Sequence, residues 1–118
     1  MKSLNMLRYY DDIAAFISGR MPWNETCIER VLEIFGASDS ESYNMGHAIA
    51  GAYKAAQAGD VEKVHRKLHF IADILSSLVN KSLGGNYLDP YTISVNLVNR
   101  VSDRIKEKRL SFDYFSST

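Results

Sequence analysis

The sequence predicts an all-α fold: a compact bundle of about five helices forming one domain over residues 1–118. Three observations lead there. Apolar residues recur at three- and four-residue spacing through most of the chain. Glycines at 19, 36, 59 and 84–85 interrupt that pattern at helix-length intervals. No segment between them has convincing strand character.

The first helix is expected over Ser3–Ser18, with Met6, Tyr9, Tyr10, Ile13, Phe16 and Ile17 on one apolar face. Gly19 ends it, and Arg20-Met21-Pro22-Trp23 reads as a connection. The second covers Glu25–Phe35. Asn24 or Thr26 caps it, and Thr26 with Glu29 matches a capping box. Its apolar side holds Cys27, Ile28, Val31, Leu32, Ile34 and Phe35.

The third helix covers Asp39–Ala58, opened by a second capping box, Ser38 with Glu41. It is rich in small residues. A glycine inside a helix costs about 0.5–1 kcal/mol relative to alanine, so Gly46 and Gly51 predict the close approach of a neighbouring helix. The fourth, Asp60–Ser82, carries Val61, Val64, Leu68, Ile71, Leu75 and Leu78, with Phe70 and Ile74 widening the apolar arc. A helix apolar over so wide an arc touches neighbours on more than one side, which puts it at the centre of the fold. Asp89-Pro90 opens the last helix, with Asp89 as cap and Pro90 at the first position, where its missing N–H does no harm. Its expected buried stripe is Tyr91, Val95, Val98, Val101 and Ile105, and Lys106, Lys108 and Arg109 sit near its end, where positive charge offsets the helix dipole. Residues 110–118 form a flexible or packing tail. The core is led by Val31, Leu32, Leu68, Ile71, Leu75, Val98 and Val101.

Composition excludes several function classes. The chain has 118 residues, 46 % of them hydrophobic and 24 % charged, which fits an ordinary globular domain. Net charge is zero, yet residues 1–45 hold seven acids against four bases, and residues 46–118 hold ten bases against seven acids. Nucleic-acid binding draws on a basic surface that displaces counterions from phosphate, so direct nucleic-acid binding is not expected. Cys27 is the single cysteine, so no disulfide forms within the chain, which suits a reducing, cytoplasmic setting. No apolar run suits a signal peptide or a membrane span. On that reading, the glycosylation triplets Asn24-Glu25-Thr26 and Asn80-Lys81-Ser82 arise by chance.

Four groups of residues are candidates for function. Glu25, Glu29 and Glu33 repeat every four residues beside the apolar arc of the second helix, with Asp39 and Glu41 following. Like charges at that spacing repel by about 0.2–0.5 kcal/mol per pair, so the row is either a solvated face or a surface for a basic partner. His65, His69 and Asp73 share the same spacing and could reach one metal ion. Arg66 stands where the zinc-protease pattern has glutamate, however, and Arg66 and Lys67 bring positive charge alongside, so no metal or other cofactor is expected. Phe112, Tyr114 and Phe115 either cover the bundle or anchor a partner, and Trp23 allows the same two readings. Cys27, inside an apolar arc, reads as a core residue.

The turn Gln57-Ala58-Gly59-Asp60 and the layout from Ala48 to Ile105, with its Gly84-Gly85 break, resemble flagellin-export chaperones over about half the chain. Ser94, Asn96 and Asn99 stand where that resemblance implies a tyrosine-rich last helix. It implies a chaperone or adaptor that holds an amphipathic partner segment. The residues themselves favour a different expectation: a non-enzymatic, monomeric or dimeric inhibitor or immunity protein. Its acidic row would occupy the positive cleft of a basic enzyme such as a nuclease toxin.

Overall fold

The structure is a computed structural model that describes the backbone of residues 6–116 and the side chains from Met6 to Lys106. Five α-helices and one short 3₁₀ turn follow in order: α1 Met6–Ile17, the 3₁₀ turn Trp23–Glu25, α2 Ile28–Ile34, α3 Asp39–Gln57, α4 Val61–Leu83 and α5 Pro90–Ser116. No strand occurs among the described residues. The expected helical bundle is thus the fold.

α4 packs on α3 along one side and on α5 along the other, as its wide apolar arc requires. α1 lies across α3 and α5, and α2 packs on α1. The core joins Tyr9, Ile13, Ile17, Ile28, Met45, Ile49, Leu68, Ile71, Leu75, Leu78, Ile93 and Leu97, all nearly inaccessible. Of the expected core leaders, Val98 alone is only partly buried.

Helix ends follow the sequence closely where the cap is local. Ser38 accepts from the Glu41 N–H at 3.1 Å, and Glu41 accepts from the Ser38 N–H at 3.0 Å, which completes the capping box. The Ser38 backbone donor, then its side chain, holds the Glu41 carboxyl below its ordinary range. Asp60 and Asp89 accept from the N–H groups of Lys63 and Thr92. At the far ends, Gly19, Gly36, Gly59 and Gly84 take φ between 71° and 78°, a conformation other residues enter at a cost. At Gly59 this lets the Asp60 N–H reach back to the Ala55 carbonyl at 2.9 Å and turns α3 sharply into α4.

Where the cap is tertiary, the structure departs from the expectation. The second helix does not begin at Glu25. The Thr26 hydroxyl donates to the Trp23 carbonyl at 2.7 Å, which closes the 3₁₀ turn and leaves Thr26 extended, with no capping box to Glu29. The cap comes instead from α1: buried Asp12 accepts from the Cys27 N–H at 2.8 Å, fifteen residues away in sequence.

The stripe buried by α5 is also rotated. Ile93, Leu97 and Val101 fill it, with Ser94, whereas Tyr91 and Val95 are exposed. Two polar ties set this rotation. The Arg100 guanidinium reaches Asp11 of α1 at 2.8 Å, and the Ser94 hydroxyl meets Nδ1 of His69 of α4 at 2.7 Å. Val61, Phe70 and Ile34, expected inside, are largely exposed. The backbone of α5 runs as helix past the basic cluster at Lys106 to Ser116, not into a separate tail. The side chains of Phe112, Tyr114 and Phe115 lie outside the described residues.

The expected reason for the α3 glycines also needs correction. A Cβ at Gly51 would meet the Lys67 stem at 3.1 Å, a flexible side chain and not a helix backbone, and one at Gly46 would meet nothing within 4 Å among the described residues.

The link between α4 and α5 depends on one side chain. Oδ1 of Asn80 accepts the N–H groups of both Tyr87 and Leu88 at 2.8 Å, while its amide donates to the Leu88 carbonyl at 2.8 Å and to Ser76. Ser76 donates to the same carbonyl at 2.9 Å. The amide of the second glycosylation triplet is therefore engaged in a clamp.

Candidate functional site

The expected row Glu25, Glu29 and Glu33 does not form one helix face, and Asp39 and Glu41 follow on the next helix. Glu25 lies in the 3₁₀ turn, while Glu29 and Glu33 are on α2 and Asp39 and Glu41 open α3. Glu29 accepts from the Trp23 indole N–H at 2.9 Å, and Glu41 is used in its capping box. Glu25, Glu33 and Asp39 are exposed.

Trp23 folds onto the bundle. Its ring meets Phe16 edge-on, 5.2 Å between centroids, and Phe16 in turn meets Tyr53 at 5.3 Å. This aromatic chain pins the α1–α2 connection to α3, and the indole is half-buried.

The three residues weighed as metal ligands go separate ways. Nδ1 of His69 is engaged by Ser94, His65 lines a cleft toward α5, and Asp73 lines a groove with Glu41 and Asn44 on the α3 side. Among the described residues, no group of three or more His, Cys, Asp or Glu is placed to hold a metal ion. The Ser94–His69 pair has the reach of a nucleophile and base, but Ser94 is 1 % exposed, so no substrate meets its hydroxyl.

Cys27 is less enclosed than expected, being only half-buried at the head of α2. Desolvation, reinforced by the Asp12 carboxylate, pushes its thiol up to about 11. The thiol therefore stays protonated at neutral pH and is a poor nucleophile. Alkylation by iodoacetamide should be slower than for a free cysteine at pH 8 and accelerate toward pH 11; fast labelling at pH 7 contradicts this. The same shift sets a stability trend. The folded chain holds this proton more tightly than the unfolded chain, so the thiol's contribution is complete below pH 9 and declines as pH rises through about 11.

Beside it, the Tyr9 hydroxyl is a fully buried polar atom with no hydrogen-bond partner among the described residues. Burial is the main cause that raises its pKa, with Cys27 and Tyr10 adding to it. An unpaired buried hydroxyl costs about 1–3 kcal/mol, so Tyr9→Phe should stabilise the fold by roughly 1 kcal/mol in urea unfolding. A loss of stability would mean that the hydroxyl has a partner, such as a buried water.

The feature best shaped to receive something lies at the N-terminal end of α4. There α5 runs past the α3–α4 turn, and Val61, Val64 and Leu68 of α4 face Val98, Val101 and Ile105 of α5 across a cleft of about 160 Å³. Ala56 and Gly59 also line it, and His65, Ser102 and Lys106 supply the polar lining. Its size is close to that of an apolar cavity of ~150 Å³ that accepts a benzene-sized guest. It thus suits one large apolar side chain. Val61 is 55 % exposed at its mouth. The sequence marked most of these residues as core and His65 as a weak ligand. Of the six aliphatic residues, Val61 is exposed and Val98 and Ile105 are half-buried, whereas Val64, Leu68 and Val101 lie beneath them, nearly inaccessible.

Fold and site together define a small helical bundle with an apolar cleft at one end. Compared with known proteins, the chain matches no family model, no curated protein and no solved structure. The likeness to flagellin-export chaperones remains one of sequence layout. Among the described residues, no helix is long and apolar enough to cross a membrane.

Proposed function

We propose that this chain is a non-enzymatic protein-binding domain, an adaptor or chaperone that takes one apolar anchor of an amphipathic partner segment into the α4–α5 cleft. The cleft carries the proposal: it opens between Val61, Val98 and Ile105, which keep accessible apolar surface, and its volume matches one aromatic or branched residue. Helix-in-groove recognition works this way, with apolar anchors at helical spacing seated between helices.

The charge-mimic reading, a cytoplasmic inhibitor or immunity protein that neutralises a basic enzyme, stands second. What favours it is the exposure of Glu25, Glu33 and Asp39 near the α2–α3 junction. The structural tasks of Glu29 and Glu41 narrow that surface.

One experiment separates the two. A partner recovered from the native source is titrated at low and high salt against the wild-type chain, Val61→Asp, and the pair Glu29→Lys/Glu33→Lys. Cleft binding should be lost in Val61→Asp and change little with salt. A charge-mimic complex should weaken with salt, because exposed charges beyond about 8–10 Å are screened near physiological ionic strength, and should fail in the lysine pair. Undiminished binding by Val61→Asp removes the cleft as the site.

A further inference from the structure

The outer face of α3 is complementary to itself. Asp39, Tyr43, Gly46, His47, Ala50 and Lys54, each three or four residues from another of the set, lie on one stripe of the helix. All are exposed except Gly46, which is half-buried. Tyr43 is 65 % exposed and its ring meets that of His47 at 4.7 Å. A shallow hollow of about 300 Å³ runs along Ser42, Tyr43, Gly46, His47 and Ala50. Glycine weakens a helix, yet among the described residues nothing fills the space that Gly46 leaves.

Reversing the stripe about a point between Gly46 and His47 places Asp39 opposite Lys54, Tyr43 opposite Ala50, and Gly46 opposite His47. Acid meets base, and each ring meets a residue with little or no side chain. The flanking surface follows the same polarity. Lys63, Arg66 and Lys67 lie toward the Lys54 end, against Asp60 and Glu62, and the Lys67 stem crosses Gly51. Glu41 and Asp73 share a groove nearer the Asp39 end, where Lys81 also acts on Glu41.

We propose that this stripe is a homodimer interface, with two copies packed α3 against α3, antiparallel, about a two-fold axis between Gly46 and His47. The symmetry makes every favourable pair occur twice and closes the assembly at two copies. One helix face buries less than a standard stable interface, so the dimer is weak and concentration-dependent. The surface is separate from the α4–α5 cleft, which stays open in the dimer.

Sedimentation equilibrium of the full chain across a concentration series tests it. The expected result is a monomer–dimer equilibrium that shifts toward monomer with salt. Lys54→Glu, which turns both symmetric ion pairs repulsive, should weaken association about tenfold. The charge swap Asp39→Lys/Lys54→Glu should restore it. Gly46→Leu should leave circular dichroism and melting temperature unchanged or improved, because the monomer has room for the side chain, while abolishing the dimer. A monomer at every concentration overturns the proposal. So does a dimer that Gly46→Leu leaves intact, or one lost in Lys54→Glu that the swap does not recover.

Discussion

Ile71→Ala should cost about 2–5 kcal/mol in urea-induced unfolding, the range for removing a buried branched side chain and leaving its cavity behind. Ile71 is fully inaccessible and sits in the middle of α4, the helix that packs on both α3 and α5. Neither neighbour can close the resulting hole without moving away from the other, so the upper part of the range is expected. Leu75→Ala, one turn on and equally buried, should fall in the same range. Both variants should keep a helical circular dichroism spectrum below the transition. A loss under about 1 kcal/mol at both sites would mean the packing around α4 relaxes freely, and would contradict its central position.

Asn80→Ala should have the second-largest effect, about 2–3 kcal/mol, because it leaves several hydrogen-bonding groups unsatisfied at once. Its carboxamide serves the N–H groups of Tyr87 and Leu88 and the carbonyl of Leu88. After truncation, Ser76 still serves the carbonyl, but the two N–H groups lose their acceptor. Those donors belong to the link that directs the chain from α4 into α5. Amide hydrogen exchange gives the sharper readout: the Tyr87 and Leu88 amides should exchange much faster in Asn80→Ala, while amides in the middle of α4 should change only as global stability does. Asn80→Asp keeps the acceptor and should preserve most of that protection. If Tyr87 and Leu88 exchange freely in the wild-type chain, the clamp is not formed in solution.

Helix positions and local caps were legible in the sequence, because the forces that set them act within a turn or two. Ser38 and Glu41, Asp60 and Asp89, and the glycines after four of the helices each satisfy backbone groups a few residues away. The apolar periodicity of α4 likewise identified the helix that needs neighbours on two sides. The even spacing of Glu25, Glu29 and Glu33 misled for the same reason. It presumed one helix, whereas the Thr26 hydroxyl closes a 3₁₀ turn and Asp12 caps α2 only from Cys27.

What tertiary structure alone decided is how each helix is rotated and where surfaces fail to meet. Periodicity marks an apolar arc, but α5 carries apolar residues on more than one side, and the ties Arg100–Asp11 and Ser94–His69 select Ile93, Leu97 and Val101 over Tyr91 and Val95. The cleft has the same origin. Val61, Val64, Leu68, Val98 and Ile105 have the composition of a core, yet packing buries Val64 and Leu68 and leaves Val61 exposed and Val98 and Ile105 half-buried. That outcome is fixed by contacts between residues far apart in the chain. Local sequence specifies which residues seek an apolar neighbour, and only the packed bundle specifies which of them remain without one.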